Sequence, residues 1–218
     1  MRILPRIPTT LERCAGYSLR AFYLLTVGSQ ILSADCARLT LGYTEIMTHV
    51  IVLMGVSGSG KTTVGKALAL ALGCPFYDGD DFHPPKNVAK MAHGIPLNDD
   101  DRYPWLARLH DMISRHLKRG EAAVFACSAL KKRYRDHLRG GNKEVLFVYL
   151  QGDFETIWER MQAREGHYMK AEMLQSQFET LEAPGPNEAI TINISGTVEQ
   201  ITDNVLAAIR RANDIDVF

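Results

Sequence analysis

Four cysteines occur in 218 residues, and Cys14, Cys36, Cys74 and Cys127 stand too far apart for any CxxC pair. That spacing argues against a zinc site and a disulfide framework, and it leaves reduced thiols in a cytoplasmic protein as the expectation. Long hydrophobic runs are missing as well: no stretch approaches the roughly 20 apolar residues of a membrane-spanning helix. Neither sign of charge is in excess, with 25 Lys and Arg against 25 Asp and Glu. Such a chain has no general attraction for nucleic acid or an anionic membrane, so any anion site must be built locally. Internal repeats and low-complexity tracts are absent too. What remains is a chain with 46% hydrophobic residues, enough for one α/β domain with a sizeable core.

The first 46 residues differ from the rest. They hold Arg2, Arg6, Arg13, Arg20 and Arg38 against Glu12, Asp35 and Glu45, and no Lys. Their moderately apolar patch "SLRAFYLLTVGSQILSA" reads as a weak secretory or transit segment, broken by Gly28, Ser29 and Gln30 and followed by no clean cleavage site. The favoured alternative takes Met47 as the true start and residues 1–46 as a dispensable or misassigned extension. From Met47 the pattern alternates. Strands are expected at 49–54, 74–77, 122–129, 144–152 and 189–195. Helices are expected at 61–72, 84–94, 103–120, 131–139, 154–166, 171–182 and 197–212, the last with Thr197 as N-cap. Strand–helix alternation of this kind builds a parallel sheet with helices on both faces.

The segment "GVSGSGKT" (55–62) matches GxxxxGK[ST] between a buried-type strand and a helix. Phosphate oxygens need many converging N–H donors. Gly55, Gly58 and Gly60 let the backbone wrap closely, with Val56, Ser57 and Ser59 between them. The helix that follows, through Thr63 and beyond, turns its positive end to the same anion. Lys61 adds a full charge at the β- and γ-phosphates, and the Thr62 hydroxyl is a ligand for Mg²⁺. The nucleotide implied is ATP.

"FYDGDDFHPP" (76–85) follows the second strand, and parallel strands end in one crevice. Asp78 is therefore a candidate to hold Mg²⁺, and Asp80 a candidate to orient or deprotonate an acceptor hydroxyl. Asp81 reads as a helix N-cap. No base-reading NKxD is present, since the nearest string is "NKEV" (142–145), which excludes the usual GTPase. "AAVFACSA" ends in no Asp, unlike the corresponding strand of motor and transporter ATPases. "ERMQAREGHYMK" (159–170) fits the arginine-bearing lid of a small-molecule kinase, with Gly166 as hinge. There Arg160 is placed to stack on adenine and Arg164 to reach the phosphates.

The strings "VLMGVSGSGKT", "YDGDDFHPPKNVAKMAHGIPLNDDDRYPWL", "CSALKKRYRD", "FVYLQGDFETIWERMQAREGHYM" and "QFETLEAPG" occur in order between about Thr48 and Ala212. In them the chain closely resembles the P-loop gluconokinases, which phosphorylate D-gluconate at its 6-hydroxyl with ATP. The resemblance implies a P-loop kinase fold of five parallel strands with a small lid near 164–171. It also implies Mg-ATP, a homodimer, and a place in gluconate catabolism. Gluconate, a polyol with a carboxylate, needs hydroxyl partners and at least one cation. His83, Lys86 and Asn87 are candidates for the hydroxyls, and Arg102, Lys131, Arg135 and His167 for cations or further donors. Asp99, Asp100 and Asp101 are placed to open the long helix, and Trp105 and Trp158 read as core. Shikimate kinase is the nearest alternative, but that family carries a glycine-rich turn where this chain has "CSALKK". A nucleotide-binding regulator is another, yet it has no use for a substrate-side base.

Overall fold

The computed structural model describes residues 49–163 and 171–215, all within one compact unit, Leu41–Phe218. The expected lid, with Arg164, Gly166 and His167, and the extension 1–46 lie outside the described residues.

Five strands form one parallel sheet in the order β2-β3-β1-β4-β5. They are β1 (Val50–Met54), β2 (Phe76–Asp78), β3 (Ala123–Ala126), β4 (Val145–Gln151) and β5 (Ile190–Asn193). Among the described residues seven α-helices accompany them: α1 (Lys61–Leu72), α2 (Pro85–Ala92), α3 (Asp99–Lys118), α4 (Lys132–Arg139), α5 (Phe154–Gln162), α6 (Ala171–Thr180) and α7 (Val198–Ile215). β1 is apolar at every position because both of its faces are covered. Ile51 and Leu53 pack with Val64, Leu68, Ile157, Leu174 and Val205. Val50, Val52 and Met54 pack with Trp105, Leu106, Leu109, Tyr134 and Leu138 on the other face.

The chain leaves β1, crosses to β2 at the edge, and returns to β3 in between. β4 then pairs on the opposite side of β1. Strand order therefore reverses between β1 and β3, and the crevice beyond their carboxyl ends is where an α/β sheet receives ligands. Backbone bonds sew its rim: Cys127 N–H to Leu53 O at 3.0 Å and Gly55 N–H to Ser128 O at 3.2 Å.

Several boundaries differ from the sequence expectation, three of them with consequences for the site. β2 runs to Asp78, so this carboxylate belongs to the strand itself. The long helix opens at Asp99 rather than Tyr103. Asn98 accepts from Asp101 N–H, and the Asp101 carboxylate accepts from Asn98 N–H, a reciprocal cap that leaves Pro104 inside the helix. α5 stops at Gln162, earlier than 166.

Candidate active site

The loop 55–60 joins β1 to α1. Gly55, Gly58 and Gly60 all adopt positive φ. Gly58 is the most constrained: at φ +83 a Cβ would also lie 2.7 Å from Met161 and 2.9 Å from Ile157. Helix α5 thus sets the floor of the loop. α1 has neither a side-chain cap nor an acidic residue in its first turn, whereas α3 has both. Its first-turn amides are left for an external anion. Lys61 Nζ donates to the carbonyls of Gly55 and Val56 at 3.0 and 2.8 Å, which draws the ammonium back over the loop. Ser59 is wholly buried, and its hydroxyl finds no partner among the described residues.

Across the crevice, Thr62 Oγ1 donates to Asp78 Oδ2 at 2.8 Å, and Asp80 N–H donates to Asp78 Oδ1 at 3.2 Å. Asp78 therefore caps the 3₁₀ turn Gly79–Phe82, the role expected of Asp81. A hydroxyl and a carboxylate brought together from α1 and β2 are hard oxygen donors that fit Mg²⁺. Among the described residues no cluster of three or more His, Cys, Asp or Glu forms a dedicated metal cage. Mg²⁺ usually keeps waters and phosphate oxygens among its ligands. A cavity of about 300 Å³ opens beside this pair, lined also by Lys66, Tyr77, Asp81 and Phe82.

The Asp80 carboxyl is pushed above its ordinary range, first by burial and then by the negative charge of Asp78. Lys61 pulls the other way, and Asp81 adds to the rise. The Lys61 ammonium thus offsets part of the repulsion among these carboxylates. His83 stacks on Trp105 at 4.1 Å between ring centroids, and Trp105 Nε1 donates to Gly79 O at 2.7 Å. Trp105 is core, as expected, but its outer face is also the platform for His83. Burial, then the charge of Arg102, lower the imidazole to about pKa 4, so it is neutral at pH 7 and can both donate and accept.

Other expected contacts part company. Asn87 is buried, and its amide donates to Asp101 O at 2.7 Å. It holds α2 against α3, and its amide nitrogen also lies 3.4 Å from His83 Nδ1. Lys86 is exposed, with its ammonium 3.8 Å from the Asp101 carboxylate, while Lys90 binds that carboxylate at 2.6 Å. Arg135 is sealed in by Glu188 at 2.6 Å and by the carbonyls of Ala129 and Leu130. It is structural rather than a ligand cation.

Arg102 and Lys131 do come together, with Arg133, around Asp99 and Tyr134. Lys131 lies 3.7 Å from Asp99, Arg133 pairs with Asp99, and the Tyr134 hydroxyl donates to it. The Arg102 guanidinium lies 5.7 Å from the Tyr134 ring centre, with its Nε buried and without a hydrogen-bond partner among the described residues. Three cations against one carboxylate leave a local positive surplus. Arg133 was not singled out from sequence, although the run Lys131, Lys132, Arg133 carried the signal. Arg160 donates to the carbonyl of Ile194, just beyond β5. Gln177 of α6, which opens the string "QFETLEAPG" but was given no role from sequence, makes a two-point contact with Ser57 across 120 positions.

Sheet order and anion cradle together define the class: a P-loop kinase. A family model described as shikimate kinase matches residues 57–210. The thermosensitive gluconokinase of Escherichia coli K12 is 49% identical over 72% of this chain and 86% of its own. The thermoresistant gluconokinase of the same strain is 46% identical over 75% and 94%. A crystal structure of a gluconokinase from Sinorhizobium meliloti 1021 superposes with TM-score 0.70 at 44% identity, covering 76% of this chain and 94% of that one. The chain belongs to the gluconokinase family of shikimate-kinase-like P-loop kinases.

Proposed function

We propose that this protein transfers the γ-phosphoryl group of ATP to the 6-hydroxyl of D-gluconate. The observation that carries the reading is the facing of an uncapped, lysine-headed helix by the Asp78–Asp80 pair across one crevice. It is joined by the extent of similarity to gluconokinases. ATP bound with Mg²⁺ supplies an activated phosphoryl group, with Thr62 and Asp78 as the residues that would hold the ion. The amides of the 55–63 segment that are not already bonded within the protein, together with the Lys61 ammonium, receive the phosphates. Asp80 accepts the proton of the attacking hydroxyl as the new P–O bond forms and the bond to ADP breaks.

Neutral His83 is placed to bind acceptor hydroxyls, with Lys86 at the rim. Arg102 and Lys131, joined by Arg133, form the cationic cluster suited to a carboxylate. Arg160 is assigned to the adenine side, and Arg164 and His167 to the closing segment. Catalysis is then mainly positioning and charge neutralisation.

The test is ADP release from Mg-ATP by the full chain with D-gluconate, with shikimate, and with no acceptor. Release that depends on gluconate alone is expected. Release with shikimate instead, or with no acceptor need at all, would overturn the assignment.

A further inference from the structure

Ser57 N–H donates to Gln177 Oε1 at 2.7 Å, and Gln177 Nε2 donates to Ser57 Oγ at 3.1 Å. The amide thus reads both groups of one loop residue, from a helix 120 positions away. The helix that presents it is firmly seated. Leu174 is buried in the core, and Phe178 packs on Phe154 at 5.7 Å between ring centres. Just past the end of α6, Glu182 N–H donates to Leu130 O, and the Glu182 carboxylate accepts from Lys132 N–H. α6 is therefore tied to the loop that follows β3, on the acceptor side of the crevice. Gln177 joins that side to the phosphate loop.

The donors and acceptors at this contact give it a direction. Ser57 N–H is satisfied by a neutral oxygen, so the anion is left to the loop's remaining amides. Ser57 Oγ takes the Gln177 proton as acceptor, and no other partner pairs with that oxygen among the described residues. Its own proton is free to donate, and the side chain is only half-buried. A hydroxyl oriented in this way, within a phosphate-binding loop, is a donor waiting for an oxygen that becomes more negative during transfer.

We propose that Gln177 is a positioning residue for phosphoryl transfer: it locks the Ser57 peptide and turns the Ser57 hydroxyl proton toward the transferring phosphoryl group. The inference rests on the ATP-dependent transfer proposed above. A contact that merely pins the loop would use the backbone bond alone, and the Ser57 hydroxyl would then be dispensable.

The test is steady-state kinetics and ATP-binding titration on full-length Ser57→Ala, Ser57→Thr, Gln177→Ala and the Ser57→Ala/Gln177→Ala double variant. Ser57→Ala and Gln177→Ala should each lower kcat about tenfold or more. ATP affinity should stay within about threefold, and the double variant should be no slower than the worse single. Ser57→Thr, which keeps a hydroxyl, should recover most of the rate. Normal kcat in Ser57→Ala would overturn the proposal, as would loss of ATP affinity in step with kcat, or losses that multiply in the double variant. If no form of the enzyme, wild type included, phosphorylates gluconate, the reading of the acceptor fails. The same comparison can then be made on acceptor-independent ATP hydrolysis, where equal rates for Ser57→Ala and wild type would again sink the role of Ser57.

Discussion

Single atoms carry the chemistry at this site, and their environments separate their roles. Lys61 and Asp80 face one another in charge, but removing them should have different signatures. Lys61→Ala should abolish turnover, because it removes the ammonium drawn back over the phosphate loop. Asp80→Asn should cut kcat by about 10²–10⁴ while ATP affinity, measured by titration, changes far less. An equal loss of both would place Asp80 on the nucleotide side.

His83 gives a prediction about stability rather than rate. Its folded pKa is about 4 against an ordinary 6.5, so the unfolded chain takes up a proton first as pH falls. This residue therefore lowers stability progressively from about pH 6.5 down to about 4, and contributes no pH dependence above that window. In His83→Gln the acid limb of thermal stability should be shallower, as melting at pH 7 and pH 5 would reveal.

Helices and strands were largely legible, since their signals are local. The buried β1 run, the glycine that ends α1 and the Thr197–Gln200 cap all act over a few residues, and the structure has them. The three aspartates expected to open α3 do so from Asp99, while the window 103–120 begins later because Pro104 reads as a first-turn proline and the Asn98–Asp101 cap outranks it. Partners distant in sequence were not legible. Nothing local says that Trp105 lies under His83, that Gln177 meets Ser57, or that Asn87 faces inward.

Arg135 is the clearest instance, a cation read as a ligand candidate because α4 begins at the active end. Its guanidinium is instead buried and held by Glu188 from the loop before β5. Removing Glu188 strands that charge, which costs roughly 3–5 kcal/mol for a buried pair broken on one side. Glu188→Ala should lower stability by about that amount in chemical denaturation, with little effect on KM in whatever protein remains folded.

At the scale of the whole molecule, the described unit contains every element that the proposed reaction uses, apart from Arg164 and His167. We expect residues 47–218, expressed alone, to match the full chain in kcat and KM for gluconate. A large loss would show that residues 1–46 take part. Among the described residues no helix is long and apolar enough to cross a membrane. Val88 and Met91, one turn apart on α2, and Ile95 beyond it are all exposed. If the homodimer implied by resemblance forms, light scattering should return twice the chain mass.

β2 is only three residues long, sits at the sheet margin, and among the described residues is paired along one side only, yet Asp78 is its last residue and Asp80 stands two positions on. Margins of this kind open before the interior does. Warming should therefore silence the enzyme some degrees below the temperature at which its helical circular dichroism collapses. Cooling from that interval should restore turnover without any need to refold the centre of the sheet.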